Sequence, residues 1–125
     1  METGKIPLRK AKRMTMKVDI TELLVFFDEL YPSSREEEGF YWFKSTYENK
    51  SFVTLSLSIY EEKAAITVYL YGEKVSTTLH FVSCFSVNIL DSEKKCLEIL
   101  HKSGRCFLSL DEGIRVEYAE RSQSD

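Results

Sequence analysis

The sequence predicts an α+β fold. It is an antiparallel β-meander of about five to seven strands, covered on one face by an N-terminal helix, with a second short helix near 92–103. Three observations predict it. Between Phe52 and Ile89 apolar and polar residues alternate, with Val53, Leu55, Leu57 and Ile59, then Ala64, Ile66, Val68 and Leu70, then Val75, Thr77, Leu79 and Phe81 on one face. Period-two patterning marks strands with one buried face. The breaks at Glu61–Lys63 and Gly72–Lys74 are short and charged, which suits tight antiparallel turns. Upstream, Ile20, Leu23, Leu24, Phe27, Leu30 and Tyr31 recur at helical spacing and form one apolar stripe.

Taken in order, residues 1–17 form a basic arm with little apolar content and no clear period, and 18–120 form a single domain. The arm is expected to be disordered or to add a short edge segment through Ile6 and Leu8. Asp19 is placed to cap the helix, with Glu22 three residues on, and Pro32 stops it. Ser33–Gly39 is an acidic connector. Phe40, Tyr41, Trp42 and Phe43 open a strand that runs to about Tyr47. Neighbours on a strand point to opposite sides, so one aromatic pair faces outward or lies under another element. Glu48–Ser51 is a hairpin turn. The alternation breaks at Val82–Cys84, where a bend or bulge is expected, and Phe85, Val87 and Ile89 continue the meander as a fifth strand.

Asp91–Lys102 reads two ways. Cys96, Leu97, Ile99 and Leu100 gather on one side of a helical wheel, Asp91 or Ser92 suits its start, and Gly104 suits its end, which favours a helix. Leu97, Ile99 and His101 also alternate, as in a short strand. His101 is then expected to face solvent near a helix C-terminus. Cys106–Leu110, a turn at Asp111–Gly113 and Ile114–Tyr118 close the chain as a hairpin, and 121–125 form a polar tail.

Composition narrows function mainly by exclusion. Hydrophobic residues make up 43% and charged residues 30% of 125 residues, an ordinary globular balance. No apolar run approaches the roughly 18 residues that cross a bilayer, and the cytoplasm is the expected location. Cys84, Cys96 and Cys106 form no CxxC pair and no zinc-ligand spacing with His80 or His101. They read as reduced thiols in or near the core. No phosphate-binding loop, dinucleotide fingerprint, zinc-protease motif or nucleophile elbow is present, so no catalytic residue, metal or cofactor is expected.

Charge is unevenly distributed. Up to residue 17, six Lys/Arg face one acid, a net +5; the other eleven bases face nineteen acids, a net −8. Lys5, Arg9, Lys10, Lys12 and Arg13 offer phosphate contacts to nucleic acid, though the arm has no aromatic residue for base stacking. In the domain, tyrosines and loop carboxylates suit docking on a basic protein surface. The residues singled out for a partner are Glu36, Glu37, Glu38, Tyr41, Tyr60, Glu61, Glu62, Tyr69, Tyr71, Glu73 and His80. His80, beside Ser76, Thr78, Thr67 and Tyr69 on the polar side of the meander, also offers a place for a small ligand.

The acidic helix DITELLVFFDELYP, the meander VTLSLSIY, AITVYLY and STTLHF, and the terminal FLSLDEGIRVEY together resemble the small acidic immunity proteins that bacteria encode beside polymorphic or contact-dependent toxins. The resemblance spans about residues 17–118. It implies a non-enzymatic cytosolic inhibitor that binds a cognate toxin, often a nuclease, and masks its active site. The competing expectations are a nucleic-acid-associated regulator that uses the arm and a small-ligand-binding sheet domain.

Overall fold

The structure is a computed structural model and describes residues 16–31 and 38–120. Among the described residues it has ten strands and one helix, an α+β fold that is mostly sheet. The elements run β1 (Lys17–Val18), α1 (Ile20–Phe26), β2 (Glu29–Tyr31), β3 (Phe40–Thr46), β4 (Phe52–Ser58), β5 (Lys63–Leu70), β6 (Val75–Phe81), β7 (Cys84–Asp91), β8 (Cys96–His101), β9 (Gly104–Ser109) and β10 (Arg115–Glu120). They form two five-stranded sheets, ordered β2-β3-β4-β5-β6 and β1-β7-β8-β9-β10. Every pairing is antiparallel except β1 with β7.

The meander is therefore cut in two. At Ser83 the backbone turns left-handed (φ 54°), the Cys84 amide donates to the Glu62 carbonyl at 2.9 Å, and β7 starts the second sheet instead of extending the first. The sheets then bury their inner faces in one core. Phe43, Val53, Leu55, Leu57 and Ile66 come from the first sheet, and Val87, Leu97, Ile99, Cys106 and Leu108 from the second. The expected helical lid over the meander holds in part: the helical region joins the core on its apolar face, and a second sheet contributes to that core as well. Leu23, Phe26 and Phe27 from the helical region join that core, and Phe27 stacks on Phe43 at 5.7 Å between ring centroids.

The helix is shorter than its apolar stripe. Asp19 caps it as expected, accepting from the Glu22 amide at 3.2 Å. It ends at Phe26, because Phe27 is extended (φ −99°, ψ 156°) and Glu29–Tyr31 pair with Lys44, Phe43 and Trp42 of β3. Edge pairing with β3 takes residues that helical periodicity assigns to the last turn. Lys95 compensates from the other sheet: its ammonium donates to the Phe26 carbonyl at 2.8 Å, where a cation suits the helix C-terminus.

The second helix expected at 92–103 is absent; the segment is a turn followed by β8. Asp91 does cap, but it caps a turn, accepting from the Glu93 and Lys94 amides at 3.0 Å each. Lys95 takes a left-handed φ of 49° and sends β8 back along β7. Once β8 lies between β7 and β9, the alternating Leu97, Ile99 and His101 point inward, and all three are buried. His101 is thus a core residue rather than a solvent-facing one. The arm, the connector from Pro32 to Glu37 and the tail 121–125 lie outside the described residues.

Candidate functional site

The outer face of the first sheet is built in rows that the strand register fixes. Trp42, Ser56, Ala65 and His80 are direct neighbours across β3, β4, β5 and β6. Phe40, Ser58 and Lys63 form the next row. Because Ser56 and Ala65 are small and Trp42 and His80 are large, the row has a low floor between two walls. The result is a groove of about 520 Å³ whose lining includes Phe40, Trp42, Ser56, Ala65, His80 and Val82. Trp42 keeps 52% of its surface exposed. Of the four aromatics, Phe43 is fully buried and Tyr41 half-buried, stacked on it at 6.4 Å, so the even-numbered pair is the outward one.

Beyond the groove the face turns hydroxylic and then aromatic again. Thr54, Thr67 and Thr78 share the next row, with the Thr67 and Thr78 hydroxyls 2.9 Å apart. Phe52 and Tyr69 stack at 5.1 Å in the row after that, with the Lys44 ammonium 4.4 Å from the Phe52 ring centre. Lys50 lies 5.2 Å from the Tyr71 ring centre.

The residues singled out for a partner thus divide between two ends of one sheet. Tyr60, Glu61 and Glu62 occupy the β4–β5 turn, and Glu61 and His80 line the groove. Tyr69, Tyr71 and Glu73 belong to the far end, around the β5–β6 turn. A strand length of ~20 Å separates the groups. Tyr41 faces the core side, although it borders the groove. Glu38 is exposed just before β3, while Glu36 and Glu37 lie outside the described residues, as do Lys5, Arg9, Lys10, Lys12 and Arg13. Trp42, Phe40 and Val82 were missed as a set. Trp42 was visible within the aromatic run, but which pair faced outward depended on the register of β3 against β4.

Burial disfavours the thiolate at two of the cysteines. Burial, with the Glu62 charge added, pushes the Cys84 thiol up to about 11 despite a backbone hydrogen bond at Ala64 that lowers it. Burial pushes Cys106 up to about 11 as well. Cys84 is buried in the second sheet and His80 is exposed on the first, so the two do not form a catalytic pair. Among the described residues no group of three His, Cys, Asp or Glu is placed to hold a metal.

The second sheet's outer face carries a polar network. Arg105 Nε donates to Glu98 Oε2 at 2.6 Å, Asn88 donates to Glu98 Oε1 at 3.0 Å, and the same amide group reaches the Ser86 hydroxyl at 3.0 Å. Burial pushes the Glu98 carboxyl up. The hydrogen bonds from Arg105 and Asn88 and the Arg105 charge outweigh it and hold the group below its ordinary range. Every partner here is internal, so this network reads as structural.

The described residues thus form a two-sheet α+β fold with an aromatic groove on the outer face of the first sheet. No protein-family model and no curated protein matches the sequence. Among solved structures, the fold matches a chain of a contact-dependent growth inhibition toxin–immunity protein complex from Klebsiella pneumoniae 342. The TM-score is 0.62 at 18% identity, over 85% of this chain and 96% of that one. At that identity the likeness is one of fold.

Proposed function

We propose that this protein is a non-enzymatic inhibitor that binds a toxin domain, masks its active site and works in the cytoplasm. The observation that carries the reading is the half-exposed Trp42 beside the Trp42–His80 groove, in a fold like that of a chain from a toxin–immunity complex. Exposed tryptophans beside pockets are the residues on which protein interfaces concentrate their energy. The groove takes an apolar side chain of the toxin, and Tyr60 and Glu61 extend the contact at its rim. The partner's surface is basic, because residues 18–125 carry a net −8 and electrostatic complementarity speeds encounter.

Co-expression with the product of the adjacent upstream gene, taken as the candidate toxin, tests the reading. Growth should be rescued and a one-to-one complex recovered. Trp42→Ala should weaken binding by about thirtyfold, the equivalent of about 2 kcal/mol for a hot-spot side chain. Absence of both complex and rescue would sink the inhibitor reading. Full affinity in Trp42→Ala would move the interface off this face.

A further inference from the structure

Among the described residues the two sheets have four edge strands, and three of them are short or charged. β1 has two residues, β2 has three and includes Glu29, and β10 carries Arg115, Glu117 and Glu120. The fourth, β6, is different. It has seven residues, pairs only with β5 among the described strands, and contains no charged residue, proline or bulge. Every residue from Val75 to His80 is exposed. Long, flat, neutral edges are the kind that proteins either cover or use, because the free amides and carbonyls template another strand.

This edge also borders an uncovered part of the core. Val75 and Leu79 share the inward face of the first sheet with the buried Ile66 and Phe81, yet they are 45% and 37% exposed. Across the gap, Tyr118 of β10 belongs to the inward row of Ile99 and Cys106 and is 51% exposed. Leu79, Phe81, His101, Cys106, Val116 and Tyr118 line the resulting mouth, about 580 Å³ in volume. The opposite side of the sandwich is occupied by Phe26 and Phe27 from the helical region. Nothing among the described residues does the same here.

We propose that β6 is a self-association edge: two copies pair their β6 strands antiparallel about a two-fold axis and join the two first sheets into one. The occupant is argued from charge and pattern. The chain is acidic overall, at −3, so most surfaces of two copies repel, whereas β6 is neutral. A basic strand from another protein would find no carboxylate along β6 to recognise. Read in either direction, Val75–Phe81 has an apolar residue at each end, a polar one next to it and Thr78 at the centre; only Thr77 and Leu79 differ in polarity. With Thr78 on the axis, Val75 faces Phe81 of the partner subunit and Thr77 faces Leu79 of the partner subunit on the inner side. On the outer side His80 faces Ser76 of the partner subunit, an imidazole against a hydroxyl. Such a two-fold contact is self-complementary by construction. It also extends the Trp42–Ser56–Ala65–His80 row across the two-fold axis into the second copy.

Light scattering on the full chain over a wide concentration range tests the proposal. The mass should rise from 14.6 kDa toward twice that value as concentration increases. Thr78→Lys, which sets two ammonium groups against each other at the axis, should hold the mass at that of one chain with an unchanged circular dichroism spectrum. Ser76→Lys serves the same purpose if the first variant does not fold. Hydrogen exchange at 75–81 should slow with concentration in the wild type alone. A wild type that stays monomeric overturns the proposal, as does a dimer that both lysine variants leave intact. Protection of 75–81 that appears only on adding the toxin domain also overturns it, because the edge then belongs to that partner.

Discussion

His101 sits in the core with 6% of its surface exposed, its ring 5.0 Å from Phe81 and 5.6 Å from Tyr118. Its Nε2 is buried and has no hydrogen-bond partner. An unpaired buried polar atom costs about 1–3 kcal/mol, and burial also pushes the imidazole below its ordinary 6.5. The sign of the pH effect follows. Between the lowered folded value and the unfolded one the unfolded chain binds more protons, so stability is present above about pH 6.5 and is lost as pH falls. His101→Leu removes both the orphan nitrogen and the titration while keeping an apolar side chain between the rings. We expect the variant to be at least as stable as the wild type at pH 7.5. Its melting temperature should change less than that of the wild type between pH 6.5 and pH 5, measured by thermal denaturation at each pH. An identical pH profile for the two proteins would remove His101 from the account.

At the scale of elements, the hairpins are set by residues that leave the usual backbone regions. Lys50, Glu62, Lys74 and Lys95 all take positive φ at the ends of β-turns, a conformation that hairpins need and that lysine and glutamate tolerate at some cost. The β8–β9 hairpin uses glycine for another reason: a Cβ on Gly104 would lie 2.3 Å from the Ala119 carbonyl oxygen on β10. That neighbour is backbone in a paired strand and cannot move aside without disturbing the β9–β10 ladder. Gly104→Ala should therefore destabilise the fold by about 1–3 kcal/mol, in the range of overpacked sites, read as a lower denaturation midpoint. An unchanged midpoint would mean that β10 is loosely held.

The same elements show how far local pattern reaches. The hairpins of β3 to β6 were legible, because alternation and charged turns act locally and agree with the tertiary contacts. The helix start was legible in Asp19. Its end was not, because Phe27 and the strand Glu29–Tyr31 answer to β3, a partner whose distance in sequence no window detects. The segment at 92–103 failed for a related reason. Its wheel was apolar on one side, but the inward alternation of Leu97, Ile99 and His101 had two neighbouring strands to satisfy it, and pairing on both sides outweighs helix propensity. The groove was half legible: His80 and the turn acids stood out, whereas Trp42 became a wall only once register placed Ser56 and Ala65 beside it.

At the scale of the whole molecule, under the proposal of a basic toxin partner, the basic N-terminal residues and the acidic remainder of the chain make opposed contributions to encounter. Starting the chain at Met16 removes five basic side chains and one acid, and it takes the net charge from −3 to −7. Met16 itself is buried and its amide donates to the Ile59 carbonyl at 3.3 Å, so the shortened chain keeps that anchor. If long-range attraction of an acidic surface governs association, the shortened chain should bind the toxin domain faster at low salt. The difference should shrink as ionic strength rises and the Debye length falls to about 8 Å. Dissociation, which reports the contacts around Trp42, should be unchanged. Stopped-flow or surface-capture kinetics at two salt concentrations separates these terms. A slower association on deletion would show the arm contacting the partner directly, and a faster dissociation would place part of the interface within residues 1–15.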